Sequence, residues 1–182
     1  MRIYITALGL LLTLIACKDK GNAYLISNDQ VGVLRKDTRI SQLDSIFAKD
    51  SVVNSSLEGE LRYASAERTT ILSKDGKELL EITPTKDDEG EKKVESVLVL
   101  CDQYATAEGI SLKSTFKDIK AKYPNLKIDP SLMSIIITPK GKNFYFTMDR
   151  SSVRDAGFDL AEEINVEDID ETAKPVRITV NF

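Results

Sequence analysis

The sequence predicts an α+β fold, an antiparallel sheet with two short amphipathic helices, built as two weakly similar halves. Three features carry the prediction. Short runs in which apolar and polar residues alternate recur along the chain, and turn residues separate them. Only two segments show helical spacing, and each opens with a hydroxyl residue followed three positions later by Asp. Strands and helices succeed one another irregularly, unlike the regular alternation of a parallel sheet. At 182 residues, 42% apolar and 30% charged, the chain suits one globular domain with its own core.

The first segment stands outside that domain. Met1 and Arg2 give a short positive start, and Ile3 to Ile15 are almost all apolar. Thirteen helical residues span about 20 Å, short of the roughly 30 Å hydrocarbon core. Residues 1–16 therefore read as a secretory signal rather than a membrane span. The run closes with Leu14-Ile15-Ala16-Cys17, which resembles the bacterial lipobox. That resemblance implies cleavage between Ala16 and Cys17, a diacylglycerol on the Cys17 thiol and an acyl chain such as palmitate on its new amine. The alternative is an ordinary cleaved signal that happens to precede a Cys. Two or three acyl chains hold a protein to a bilayer where one holds only marginally. Residues 17–22 then form a polar tether, Cys17-Lys18-Asp19-Lys20-Gly21-Asn22. Lys18 directly after the lipidated position resembles the pattern that sorts lipoproteins to the outer membrane. Lys18-Asp19 also resembles a surface-export tag of some Bacteroidetes lipoproteins, a pattern that Lys20 breaks. The expected location is the bacterial outer membrane, on its periplasmic face or at the cell surface.

Residues 23–182 are expected to form the single α+β domain. Tyr24-Leu25-Ile26 and Val31-Gly32-Val33-Leu34 read as short strands. Ser41-Gln42-Leu43-Asp44 has the form of a capping box, and Ile46 and Phe47 share a face with Leu43 and Ile40, which predicts a first helix. Thr69 to Ile82 reads as a hairpin with a two-residue turn at Asp75-Gly76. Thr83 to Lys93 is rich in Pro, Asp and Gly and reads as a polar loop. Val94 to Cys101 is apolar at nearly every position, as in a central strand covered on both faces. Thr115-Phe116-Lys117-Asp118 repeats the capping device, with Phe116, Ile119 and Tyr123 as the apolar stripe and Pro124 as the stop.

Leu132 to Thr138 and Lys142 to Met148 form a second hairpin about Gly141, in which Phe144, Phe146 and Met148 alternate with Tyr145 and Thr147. Arg150 to Lys174 is acidic, with scattered apolar anchors only. Val176, Ile178, Val180 and Phe182 alternate with Arg177, Thr179 and Asn181, so this segment is expected inside a sheet. The halves echo each other. Gly32-Val33-Leu34 ahead of Thr38 corresponds to Gly109-Ile110 and Leu112 ahead of Thr115, 77 residues later, and Gly76-Lys77 corresponds to Gly141-Lys142, 65 residues later.

Composition narrows the chemistry. There is no His, so a Ser-His-Asp or Cys-His site and a His-liganded zinc are excluded. The formal charge is −4, from 25 basic and 29 acidic side chains, and loss of Arg2 with the signal makes it −5. Such a balance does not suit a nucleic-acid binder. With Cys17 lipidated, Cys101 has no bridging partner, and its place at the end of an apolar strand predicts a buried, inert thiol. Glu162-Glu163, Glu167-Asp168 and Asp170-Glu171 are the densest carboxylates. A glycosidase needs two carboxylates about 5–9 Å apart across a groove. A calcium loop needs Gly at its sixth position, and Ala173 stands there. A solvated acidic face is the expectation, with no catalytic residue, metal or cofactor. Lys113, Lys117 and Lys120, spaced i, i+4, i+7 with Lys122 and Lys127 nearby, suggest a contact with an anionic surface, or else the ordinary wet side of a surface helix.

The order of elements then suggests a family. A lipobox, Val-Gly-Val-Leu, a first helix and a hairpin are followed by Glu95-Ser96-Val97-Leu98-Val99. Next comes Thr106-Ala107-Glu108-Gly109-Ile110, leading into Ser114-Thr115-Phe116-Lys117-Asp118. This resembles the sigma-E-regulated envelope lipoproteins of enterobacteria, a family of unknown function, over roughly residues 29–180. The resemblance implies an outer-membrane lipoprotein with an α+β periplasmic domain and no known catalytic residues. The chain is more loosely similar to the repeated helix-plus-sheet module of small outer-membrane assembly lipoproteins. Two function classes follow. One is a non-catalytic, lipid-anchored lipoprotein that binds or scaffolds another envelope component, an immunity protein against a secreted toxin included. The other is a glycan hydrolase acting through carboxylates.

Overall fold

The computed structural model describes residues 23–55, 67–154 and 163–182. The signal (1–16), Ala16, Cys17 and the tether lie outside the described residues. Strands β1 (Leu25–Ile26), β2 (Gln30–Val31) and β3 (Leu34–Arg35) join β8 (Ala105–Thr106) in a small sheet of order β3-β2-β1-β8, with β1 and β8 parallel. A 3-10 turn at Ile40–Gln42 leads into helix α1 (Leu43–Ile46). Four antiparallel strands follow: β4 (Ser51–Ser55), β5 (Arg68–Leu72), β6 (Glu78–Lys86) and β7 (Lys92–Val99). After β8 the pattern recurs. Helix α2 (Phe116–Lys122) precedes β9 (Leu126–Pro130), β10 (Ser134–Pro139), β11 (Phe144–Asp149) and β12 (Arg177–Asn181). The two meanders meet at their fourth strands, with Val97 opposite Val180 and Val99 opposite Ile178. The result is an eight-stranded antiparallel sheet of order β4-β5-β6-β7-β12-β11-β10-β9. The fold is thus α+β, dominated by sheet.

Register explains where the core sits. One cross-strand row runs from Val52 through Ile71, Leu80, Val99, Ile178, Phe146 and Ile137 to Ile128, apolar on all eight strands. Its six inner members are fully buried. Each such side chain contributes about 1.5–3 kcal/mol through burial. Leu43 and Phe47 from the first helical segment, and Phe116, Ile119 and Tyr123 from the second, cover this row as expected. Tyr123 stacks against Phe144 and Phe146, with centroids 6.0 and 6.1 Å away. Helix α2 has its expected cap: the Thr115 hydroxyl accepts from Asp118 N–H, and Asp118 Oδ2 accepts from Thr115 N–H at 2.8 Å.

Several expectations need correction. Val31–Leu34 is not one strand, because Gly32 adopts φ +58° and turns β2 into β3, leaving Val33 half exposed. At α1 the reaching side chain is Gln42, whose Oε1 accepts from Arg39 N–H at 3.1 Å, rather than the Ser41–Asp44 pair. Ile46 is exposed instead of buried. The Asp75-Gly76 turn is a three-residue loop with Gly76 left-handed, closed by Ser73 N–H to Lys77 O at 2.8 Å.

Thr83–Lys93 is mostly strand. Here β6 and β7 extend to a tight turn in which Asp87 Oδ1 accepts from Glu89 and Glu91 N–H. The apolar run in β7 is buried on one face only, at Val94, Val97 and Val99. A bulge at Glu95 lets residues three apart share that face, while Leu98 and Leu100 opposite are half-buried. In the acidic stretch, Val153 bridges Ile169, and both are buried with Ile164. β12 is pinned between β7 and β11 as its alternation predicts, although Val176 just before it is exposed.

Candidate functional site

The three lysines singled out in the sequence do not share one helix face. Lys113 precedes α2, and its Nζ lies 2.8 Å from Asp102 Oδ2. Lys120 turns toward Glu171, 2.8 Å away, and lies 6.0 Å from the centre of the Phe116 ring. Lys117 alone is exposed without a side-chain ion pair among the described residues. The patch is therefore partly neutralised by its own protein.

Part of the acidic run is likewise engaged locally. Asp168 Oδ2 accepts from Asn165 N–H, Asp170 Oδ1 accepts from the N–H and hydroxyl of Thr172, and Glu171 pairs with Lys120. Glu162 lies outside the described residues. Among the described residues, no group of three His, Cys, Asp or Glu side chains is placed to hold a metal.

The Thr106–Ile110 motif folds into a tight turn. Ile110 N–H donates to Thr106 Oγ1, and Gly109 N–H donates to Thr106 O. The turn aims Glu108 at the end of α2. There Tyr123 Oη donates to Glu108 Oε2 at 2.5 Å and contacts Thr106 Oγ1 at 2.8 Å, while Lys142 Nζ reaches Glu108 Oε1 at 3.0 Å. The ammonium also lies 5.7 Å from the ring centres of Tyr123 and Phe144. Burial opposes ionisation of Glu108, but the bonds from Tyr123 and Lys142 outweigh it and hold the carboxyl down at about 2. Burial, reinforced by the Glu108 carboxylate, pushes the Tyr123 phenol up. A phenol held protonated and a carboxylate held charged make a clasp between helix, turn and second hairpin. Sequence reasoning missed it because Glu108 and Lys142 lie 34 positions apart.

A cleft of about 510 Å³ opens where the chain enters the domain. Its apolar walls include Tyr24, Val33, Ile46, Phe47, Leu79 and Tyr104, and Asp50, Lys74, Asp75, Lys77 and Asp102 are also among its lining residues. Tyr24 packs edge-on against Tyr104 at 5.2 Å. Cys101 lines the same cleft. It is half-buried rather than fully buried, and burial pushes its thiol up. It is not activated.

The second surface feature is the face of the large sheet opposite the core. A row runs across it from Val53 through Thr70, Glu81, Leu98 and Thr179 to Tyr145. Leu72, Leu100 and Ile136 flank that row, all half-buried and outside the core cluster. Arg68 and Glu81 pair on this face at 3.3 Å. The legible signal was the apolar filling of every position from Val97 to Leu100.

Fold and surface together define a sheet-dominated α+β protein with one sheet face covered by the helices and the other covered by no described helix. Its fold is similar to that of the uncharacterized protein yfeY from Escherichia coli, a crystal structure with a TM-score of 0.58 and 13% identity, covering 86% of this chain and 99% of that one. No family model matches the chain, and no curated protein matches it.

Proposed function

We propose that this is a non-catalytic, lipid-anchored lipoprotein of the bacterial outer membrane that binds or scaffolds another envelope component through its open sheet face. Anchoring rests on Leu14-Ile15-Ala16-Cys17 closing an apolar run too short to span a bilayer. The binding role rests on one observation. Leu72, Leu98, Leu100, Ile136 and Tyr145 stand among threonines on a face that neither helix covers. Extended apolar surface of this kind, edged by polar residues, marks a protein interaction site. The acidic stretch gives less support to a glycan hydrolase, since Asp168 and Asp170 are engaged in turns and Glu171 in an ion pair.

The two halves are read as repeats of one helix-plus-four-strand unit. Their approaches to the helix are built alike. Arg35 N–H donates to Thr38 Oγ1 and Thr38 N–H to Arg35 O; Ser111 N–H donates to Ser114 Oγ and Ser114 N–H to Ser111 O. One residue later, Gln42 reaches back to Arg39 N–H and Asp118 to Thr115 N–H.

The test uses the full chain in intact envelopes. Cys17→Ser should release the protein from membranes and block maturation. A photoreactive side chain at position 98 should give one discrete adduct, which Tyr145→Glu weakens and a probe at exposed Lys140 does not give. Normal membrane fractionation of Cys17→Ser overturns the anchor. The same adducts from both probe positions overturn the binding face.

A further inference from the structure

We propose that the cleft at the start of the domain is a membrane seat, with Tyr24, Val33 and Ile46 entering the headgroup layer of the bilayer that holds the lipid anchor. This deepens the reading above and rests on lipidation of Cys17. Seven large hydrophobic side chains are exposed among the described residues, and three of them, Tyr24 (44%), Val33 (50%) and Ile46 (37%), ring this one cleft. Their concentration is what needs a cause, since single exposed hydrophobes are ordinary.

The tether supplies one. The chain enters the fold at Ala23, which itself lines the cleft. Six residues, 17–22, extend no further than about 20 Å. The cleft is therefore the part of the fold that a lipid on Cys17 holds nearest to the bilayer. The chemistry also suits that layer. Tyr offers an apolar ring with a polar tip, the residue type that collects at membrane interfaces. Among the lining residues Lys74 and Lys77 stand against Asp50, Asp75 and Asp102, and Asp102 is paired with Lys113 from outside the lining, which brings the rim close to neutral. A balanced rim asks for zwitterionic headgroups and apolar contact, not for anionic lipid. Its signature is insensitivity to salt, unlike the contact expected from a free lysine face.

The chain contains no Trp, so a single introduced Trp is a clean probe. The lipidated full-length protein is reconstituted into zwitterionic vesicles with Val33→Trp, with Ile46→Trp, or with Glu89→Trp as control. Glu89 is exposed on the turn that precedes β7, whereas the cleft lies beyond its other end, about 25 Å away along the strand. Flotation is read on every sample. Acyl-brominated lipid should quench the Val33→Trp and Ile46→Trp probes about twofold more than the control, unchanged at high salt and in anionic vesicles. A protein that does not float overturns the anchor and the seat together. A protein that floats, with both probes quenched no more than Glu89→Trp, overturns the seat and leaves the anchor standing. Blue-shifted emission without lipid quenching, accompanied by a cross-linked dimer, assigns the cleft to a second copy and also overturns the seat.

Discussion

Replacing Gly32 by Ala, with Gly141→Ala beside it, separates two costs of a side chain in a turn. Both glycines hold a left-handed backbone, φ +58° at Gly32 and +78° at Gly141. An L-residue in that conformation costs roughly 1–2 kcal/mol. At Gly141 nothing lies within 4 Å of the position a Cβ would take. At Gly32 the Cβ would sit 2.4 Å from the Ala23 carbonyl oxygen and 2.9 Å from a Tyr104 ring carbon. The first neighbour is backbone and the second a ring buried in the core, so neither moves cheaply. Overpacking of this kind adds about 1–3 kcal/mol. The expected losses are thus roughly 1–2 kcal/mol for Gly141→Ala and roughly 2–5 kcal/mol for Gly32→Ala. In a domain of this size about 1 kcal/mol lowers Tm by 2–4 °C. Thermal and urea melts followed by far-ultraviolet circular dichroism resolve the difference. Equal losses in the two variants would refute the close approach of Gly32 to Ala23 and Tyr104, and with it the description of how the small sheet packs.

Two further outcomes follow from the titratable groups. Glu108 is held at about 2, below its unfolded value, so its contribution to stability is complete above about pH 4.5 and is lost as pH falls through 2. Glu108→Gln should lower stability at pH 7 and make the decline between pH 5 and 2 shallower than in the parent; parallel declines would show that the Tyr123–Glu108–Lys142 clasp stabilises nothing. Cys101 should react slowly with a thiol reagent in the folded chain and quickly in denaturant, with a folded-state rate that climbs only above the pH of an ordinary thiol; fast labelling at pH 7 would mean that the thiol is activated rather than muted.

The second half of the chain was the more legible, and the reason is physical. Phe144, Phe146 and Met148 alternate cleanly because β11 lies between two strands and is buried on one side only. Thr115 and Asp118 announce α2 because their mutual hydrogen bonds need no distant partner. In the first half the cap falls on the 3-10 turn ahead of α1, where Gln42 reaches back to Arg39 N–H as a capping-box Gln does, but Arg39 is not a capping residue type and so the pattern does not announce itself. Thr83 to Lys93 looked like loop by composition, yet its backbone is fixed by pairing across a turn that Asp87 closes, with Lys93 3.0 Å from that carboxylate. Tertiary register overrode local preference there. The clasp of Glu108 and the ring of Tyr24, Val33 and Ile46 were illegible for another reason. Each is assembled from elements that meet only once the sheets have formed.

The open face follows from the topology itself. The two meanders meet through their antiparallel fourth strands, β7 and β12, in one continuous sheet. Both helices lie on one side of it, where Phe47 and Tyr123 join the same core. No described helix lies on the far side, where Leu98 and Tyr145 are half-buried. The sheet's outer edges offer little to a partner. β9 carries Lys127 and Pro130, and β4 is short and polar apart from Val52 and Val53. Edge-to-edge growth is thereby discouraged at both ends. What the architecture leaves available is a broad face lined by leucine, isoleucine, tyrosine and threonine. A partner docked there would lie across the junction of β7 and β12 and would touch both halves at once. Binding should therefore depend on Leu98 and Tyr145 together, and a half supplied alone would offer only half of that surface.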